Sequence, residues 1–438
     1  MRLRRSLIAG ECVVLAVFFA LFVSGAAFNM AGLNYSTETA GGGLKVHPYT
    51  VLTVIAFLVV VCGAHSLKHA VNSSRFRVAV AGAWVTCAIL VMKSLQSAGQ
   101  SLGFAVDTIV AAFLLAAVLP FTTQRVARRL SRMITLFIVI ESVLAMLEVV
   151  AHVNLITIGD WYGEYFRSTA LQGHPLNNAL ILVTLSVCQQ TCVRRLTSVL
   201  IFVLTVGALI AFGARGALAI YLLVNAVTFA RYGLASAGRL AVFMAGATAC
   251  AGGVAWLLLS GVVGTRISQV GAYDDSAAVR VKSVDLLQQL DWWRLLAGNS
   301  TIDITRMMSN AGIGVIENFL VGYVLAFGAV CTVAIGYFVY ATGRKLTYDA
   351  ASAMRTRFLV ILLVFFAVAL TNNSLITKTP AFFLLIVGIW CTRCRWLERI
   401  ESVSAATASE QARHIPDGVA ASVDERLQAG ASLRRRRA

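Results

Sequence analysis

A chain of 438 residues that is 58% hydrophobic and only 13% charged, with a mean hydropathy of +0.79, lies outside the range of an ordinary soluble enzyme of its length. Its net charge of +17 does not point to a nucleic-acid partner, because the lysines and arginines cluster in short runs between apolar stretches, where they report orientation in a membrane. Stretches such as VLTVIAFLVVVCGAHSL and FLVILLVFFAVAL do not alternate in polarity, which excludes a membrane barrel and leaves an all-α polytopic membrane protein.

Twelve transmembrane helices are predicted. The run after MRLRR, at 7–29, is longer than the apolar core of a signal peptide and reads as the first span; its cleavage would leave the remaining topology unchanged. Spans follow at 49–67, 78–94, 102–120 and 133–152. An external segment at 153–174 carries Arg167 and His174 and leads into a span at 175–192. Pro175 suits its first turn, since proline lacks the N–H that would be unpaired there. Asn177 and Asn178 then fall where free N–H groups and the helix dipole favour an anion.

The spans at 197–213 and 216–230 are joined by almost no loop, and Arg215 sits between them among Gly213, Ala214, Gly216 and Ala217, which leave room for a ligand. After a span at 240–262 comes the longest external loop, 263–314, with Arg266, Asp274, Asp275, Arg280 and Lys282. Its stretch 276–296 suits a helix lying along the membrane surface with Trp292 and Trp293 at headgroup depth. The span at 315–340 puts Glu317 about one turn inside the membrane, beside Asn318. Spans at 358–371 and 380–396 complete a transmembrane domain of residues 1–396, and 397–438 reads as a disordered cytoplasmic tail whose final arginines touch anionic lipid.

With both termini cytoplasmic, 27 of the 37 lysines and arginines lie on the inner side, which sets the orientation. The cysteines fall within spans or at cytoplasmic ends, so no structural disulfide is expected. The CTRC motif at 391–394 has metal-ligand spacing but neither a second pair nor a nearby histidine, and reads as two small apolar thiols rather than a metal site.

Ionisable groups at membrane depth cost roughly 2.5–3.5 kcal/mol on insertion scales, so each raises a functional question. Asp107, Glu141 and Glu148 have no evident partner; Glu141, near mid-membrane, is the best candidate for a proton or ion site in a transporter. Arg167, Arg215, Arg266 and Arg280 gather on the outer side with the carboxylate of Glu317, which points to a site for a phosphorylated or otherwise anionic ligand, because a planar guanidinium grips phosphate oxygens bidentately. The plain alternatives are a helix cap with snorkelling arginines and a glutamate neutralised by a structural arginine. There is no P-loop, H-E-x-x-H, nucleotide fingerprint or GxSxG, so no nucleotide, metal or other cofactor is implied.

FRSTALQGHPLNNALIL, then FGARGALAIYLL, then a long loop with DDSAAVR and LLAGNS, then IENFLVGYVLAFGAV, resembles the O-antigen ligase and polysaccharide polymerase superfamily of Wzy type, in its exopolysaccharide branch. The likeness covers about residues 160–340. It implies a GT-C-like fold in the bacterial inner membrane and a metal-independent, inverting glycosyltransferase that moves glycans from undecaprenyl diphosphate on the periplasmic face. Its implied partners are the lipid-linked oligosaccharide, membrane lipids, chain-length regulators and export proteins. Arg167 and Arg215 match the arginines that hold the diphosphate, Arg280 matches a loop arginine, and His174, Asn177 and Arg266 join the substrate side. Glu317, in the place of the catalytic group, stands where ligases typically carry a histidine. Leu176 separates Pro175 from Asn177, a second departure from the pattern.

The reading preferred is a polymerase of lipid-linked repeat units. A ligase to a lipid or protein acceptor is distinguished by polymer that is made but left unattached in its absence. A flippase or other transporter needs polar residues lining a path to the cytoplasmic side, and a scaffold for a synthesis complex needs no site at all.

Overall fold

The computed structural model describes residues 2–33, 35, 45–62, 64–96, 103–156, 166–233, 238, 252, 275–348 and 352–413. Every regular element among the described residues is a helix. In chain order these are α1 (Arg2–Phe22), α2 (Gly25–Met30), α3 (Pro48–Val61), α4 (Ala64–Asn72), α5 (Ser74–Gln96), α6 (Gly103–Phe121), α7 (Gln124–Ala151) and α8 (Pro175–Gln190). Then follow α9 (Arg195–Ala211), α10 (Arg215–Gly233), α11 (Asp275–Gln288), α12 (Trp292–Ala297), α13 (Thr301–Asn310), α14 (Phe319–Leu346), α15 (Ser352–Leu370) and α16 (Ala381–Arg413).

Four of these segments are long and apolar enough to cross a membrane: Ser74–Leu95, Gly103–Phe121, Gln124–Ala151 and Phe319–Leu346. Shorter apolar helices run over Ser6–Phe22, Pro48–Val61, Arg195–Ala211 and Arg215–Ala230. The predicted spans at 7–29 and 49–67 each run over two helices, α1 with α2 and α3 with α4; that at 240–262 lies outside the described residues except for 252, as do Asp274 and Arg266; each of the others overlaps a single helix. Two expectations are corrected. The single surface helix over 276–296 is two, because Asp291 stops the chain and recaps it, its Oδ1 accepting from the Arg294 N–H at 2.8 Å; Trp292 and Trp293 are exposed. The last helix continues to Arg413, so 397–413 is helical rather than disordered, and 414–438 lies outside the described residues.

Contacts between helix ends fix the direction of neighbours. At one end, His47 Nε2, just before α3, donates to Val23 O just past α1 at 2.9 Å, and Gln172 Nε2, ahead of α8, donates to Leu21 O at 2.8 Å. Lys93 Nζ, near the end of α5, donates to Ala297 O at 2.6 Å. At the opposite end, Ser6 Oγ donates to Phe121 O at 3.0 Å and Arg75 Nε to Lys345 O at 3.2 Å. These contacts set α1 against α3, and α5 against α14, in opposite senses. The arginine-bearing helix ends around 75, 125–132 and 344 share the second end, where Arg129 pairs with Glu11 at 2.6 Å.

Residues up to Arg393 form one compact unit and those from Cys394 a second; within the latter, Arg395 Nη1 lies 3.3 Å from Glu398 Oε2.

Two helix starts are built by one device. His47–Pro48 and His174–Pro175 each place proline at the first helical position behind a histidine cap, whose Nδ1 accepts from the N–H two residues on, Tyr49 or Leu176, at 3.3 Å. α14 is interrupted at Gly328 (φ 82°), and the Ala297–Asn299 turn packs into the notch. There Leu325 O accepts from Asn299 N at 2.8 Å and Asn299 Nδ2 at 3.1 Å. Leu286, Ile304, Ile313, Val321 and Leu325 form the apolar cluster that seats α11 and α13 against the start of α14.

Candidate functional site

The site is assembled on the first end of the helix stack. α9 ends at Ala211 and α10 starts at Arg215, so only three residues turn the chain. Gly213, at φ 62°, takes the left-handed conformation, with Gly213 N donating to Ile210 O at 2.9 Å and Ala214 N to Leu209 O at 3.1 Å. These are the paired bonds of a glycine-terminated helix, and they leave Phe212 O free to accept a side chain. Arg167 Nε donates to that carbonyl at 2.9 Å, and Ser168 N donates to Ala211 O at 3.2 Å. A methyl group at position 213 would sit in ordinary contact with Arg167 Nε at 3.4 Å, so it is the left-handed φ rather than lack of space that calls for glycine here. The two arginines singled out by sequence are thus tied to the same turn.

The segment that carries Arg167 is held from behind by α7. Glu148 Oε2 accepts from Ser168 Oγ at 2.7 Å and from the N–H groups of Thr169 and Ala170, each at 2.9 Å; its Oε1 accepts from Leu155 N at 2.7 Å. Glu141 Oε2 takes the Leu171 N–H at 3.2 Å. Both glutamates are buried. Asn178 is buried as well and turns into this segment, Nδ2 donating to Thr169 O at 2.6 Å, so it braces the loop instead of facing a ligand. Asn177 stands in the first turn of α8, with a buried Oδ1 that has no hydrogen-bond partner among the described residues.

From Arg215 a chain of contacts leads to Glu317. Gly216 packs against Thr371, whose methyl carbon would be 2.9 Å from a Cβ at that position. The next residue, Asn372, accepts the Phe319 N–H at 3.2 Å. Asn318 is the cap of α14, its Oδ1 accepting from Leu320 N at 2.9 Å. Glu317 therefore lies just ahead of the helix, which corrects the expectation that it sits one turn inside a span; the capping asparagine, an ordinary residue in an apolar run, is the stop that hydropathy does not register. Glu317 and both arginines are half-buried. Arg280 lies on α11, which packs on α14, but its side chain is outside the described residues, and Arg266 is outside them altogether.

The segment 371–380 ties this region to a second polar node that sequence reasoning left unplaced. Asp107, fully buried in a π-helical turn at Val106–Val110, accepts from Tyr35 OH at 2.5 Å, Thr50 Oγ1 at 2.7 Å and His47 N at 3.1 Å. A buried carboxylate is tolerable only when its oxygens are so satisfied. Lys378 Nζ lies 4.2 Å from the Tyr35 ring centre and donates to Lys45 O at 2.8 Å, while Thr108 Oγ1 donates to Thr377 O at 3.1 Å. The strap between α15 and α16 thus joins Asp107's node to the start of α14, where Tyr323 OH donates to Leu375 O at 2.8 Å.

His174 is neutral. Burial, and after it the Arg167 guanidinium, push its pKa down to about 4. With Nδ1 accepting the Leu176 N–H, its proton sits on Nε2, which makes the ring a donor. His47 is pushed down to about 4 by burial, which outweighs the opposing bond to Val23 O, with Lys378 adding to the fall. Both histidines thus bind protons more weakly folded than unfolded, and the unfolded chain takes up more protons between the ordinary value of 6.5 and about 4. The stability they contribute is complete above pH 6.5 and lost as pH falls toward 4. Thermal unfolding in detergent should show a Tm that drops across this window in the wild type and drops less in His47→Asn/His174→Asn, whose caps do not titrate. Equal slopes would refute the assignment.

The fold and this end of it define the class: an all-α membrane protein whose arginine-bearing helix turns are braced by buried carboxylates. The chain matches no model of a known protein family, and no curated protein matches it.

Proposed function

We propose that this chain is a membrane polysaccharide polymerase that joins undecaprenyl-diphosphate-linked repeat units on the periplasmic face of the bacterial inner membrane in exopolysaccharide synthesis. In this reading the chain crosses the membrane twelve times with both termini cytoplasmic, and the end bearing Arg167 and Arg215 faces the periplasm. The motifs in 160–340 support it, and so does one geometric observation above the rest. Arg167 Nε is bonded at 2.9 Å to the last carbonyl before the turn from which Arg215 starts its helix, so two guanidinium-bearing residues share one small-residue corner.

The chemistry asked of the site is displacement at an anomeric carbon. An acceptor hydroxyl oxygen forms the new glycosidic bond, the bond from that carbon to the diphosphate breaks, and undecaprenyl diphosphate leaves with the electron pair. Arg167 and Arg215 stabilise the charge that grows on the departing diphosphate, Arg280 extends that field from the loop, and Glu317 takes the hydroxyl proton. His174 Nε2–H and Asn177 supply neutral polar contacts. Direct displacement inverts the anomeric configuration, and no nucleotide or metal enters the balance.

The test is reconstitution. Purified protein in liposomes, given a lipid-linked repeat unit on the side bearing Arg167, should elongate it with release of undecaprenyl diphosphate and without nucleotide sugar. Movement of the unit across the bilayer with no elongation would replace this reading by a flippase.

A further inference from the structure

The Arg167 loop closes one backbone bond of its own, Gly173 N to Thr169 O at 2.9 Å, but its earlier N–H groups are taken from outside it. Thr169, Ala170 and Leu171 turn three successive N–H groups toward α7, and two glutamates seven residues apart on one face of that helix receive them. Ala170 is held at φ 36°, a left-handed conformation that a side chain rarely adopts unless its surroundings impose it. Glu148 imposes it. Its two oxygens accept four donors between 2.7 and 2.9 Å, from Leu155, Ser168, Thr169 and Ala170, which occupies the ordinary acceptor capacity of an ionised carboxylate. The residue next to this clamp is Arg167.

We infer that Glu148, with Glu141 as its second anchor, is the positioning residue for Arg167: it folds Ser168–Leu171 onto α7 and so delivers the guanidinium to the turn before Arg215. Glu148 does not meet the ligand. It acts through Arg167, in the sense that the proposed diphosphate site has its first arginine where it is only while this carboxylate collects those N–H groups. The inference rests on the proposed function for its ligand, but its geometric half does not. Glu148→Gln is the sharpest variant, because the amide turns an N–H₂ toward groups that are themselves donors, leaving at least one buried N–H unpaired at almost unchanged volume.

Two readouts separate the inference from that function. The first needs no ligand: tryptic cleavage of the detergent-solubilised full chain after Arg167, followed by mass spectrometry. It should accelerate on the order of tenfold in Glu148→Gln, with cleavage elsewhere and the unfolding temperature near wild type, since one clamp is lost. The second is the affinity for a polyprenyl diphosphate, expected to weaken about tenfold in Glu148→Gln but by less than about twofold when the change is made in an Arg167→Ala background, where no guanidinium is left to position. A purely structural role would let the two losses multiply. Unchanged cleavage and affinity in folded Glu148→Gln, or multiplying losses, overturn the inference. If Glu148→Gln does not fold, Ser168→Ala, which removes one donor only, should give a smaller rise at Arg167, and no rise counts against the idea. If the wild type neither binds the polyprenyl diphosphate nor elongates a repeat unit, the proposed function falls, and the protease readout alone decides whether Glu148 positions Arg167.

Discussion

On the proposed polymerase function, Arg215→Ala and Arg167→Ala are each expected to leave the protein inserted and folded but to abolish long polymer, with single repeat units accumulating on the lipid carrier. The expected size follows from charge. A preorganised donor aimed at a developing oxyanion in a water-poor site is worth about 3–4 kcal/mol, which is a loss on the order of 10²–10³ in rate for each arginine. Each extension step suffers that loss, so the length distribution collapses instead of shortening slightly. Lysine does not restore it: Arg167→Lys keeps the charge but loses the Nε–H that bonds Phe212 O at 2.9 Å, and an ammonium cannot bridge two phosphate oxygens as a planar fork does. Electrophoresis of surface polysaccharide, with membrane levels followed by immunoblot, measures the outcome. Normal chain length in both alanine variants would remove the diphosphate site from consideration.

Gly328→Ala is expected to be the most destabilising single methyl group in the described chain. A Cβ there would lie 2.1 Å from Leu296 O and 2.6 Å from Ala297 C and Gly298 N, all backbone atoms that cannot swing aside, at a φ of 82° that alanine resists. Overlap with main chain and strain at a positive φ act together, so a loss above about 4 kcal/mol is expected. Gly298→Ala, facing Gly328 N at 2.6 Å and Ala326 O at 2.7 Å, should behave alike. Gly336→Ala, eight residues further along α14 with open space around it, is the control; alanine's better helix propensity makes it neutral or stabilising by up to about 1 kcal/mol. Thermal unfolding followed by size-exclusion chromatography distinguishes them, and similar curves for Gly328→Ala and Gly336→Ala would contradict the backbone crossing. The loop depends on this crossing: Ala297 O receives the buried Lys93 ammonium there, and α11, with Arg280, is seated on α14 through Leu286.

Much of the architecture was legible because hydrophobic length is a local property. Apolar runs marked helices to within a few residues at most positions, and Pro175 behind His174 announced the start of α8. The same dipeptide at His47–Pro48 was a usable sign of a matching helix start and passed unread. The seven-residue spacing of Glu141 and Glu148, which puts both on one helix face, was another. Glu317 was misplaced because Asn318 interrupts no apolar run and yet caps the helix.

The sequence by itself determined the class of fold, the order of the helices and the identity of the charged residues, since each depends on neighbours in the chain and on the cost of leaving apolar surface or charge in the wrong solvent. Which of those charges are structural was decided only by the tertiary structure. Asp107 binds Tyr35, Thr50 and His47, and Glu148 binds Leu155, Ser168, Thr169 and Ala170, across separations that no periodicity records. A carboxylate looks the same in the sequence whether it awaits a proton or already holds four donors. Its role follows from which N–H groups the folded chain has left without a helical partner, and only the packed helix ends supply that answer.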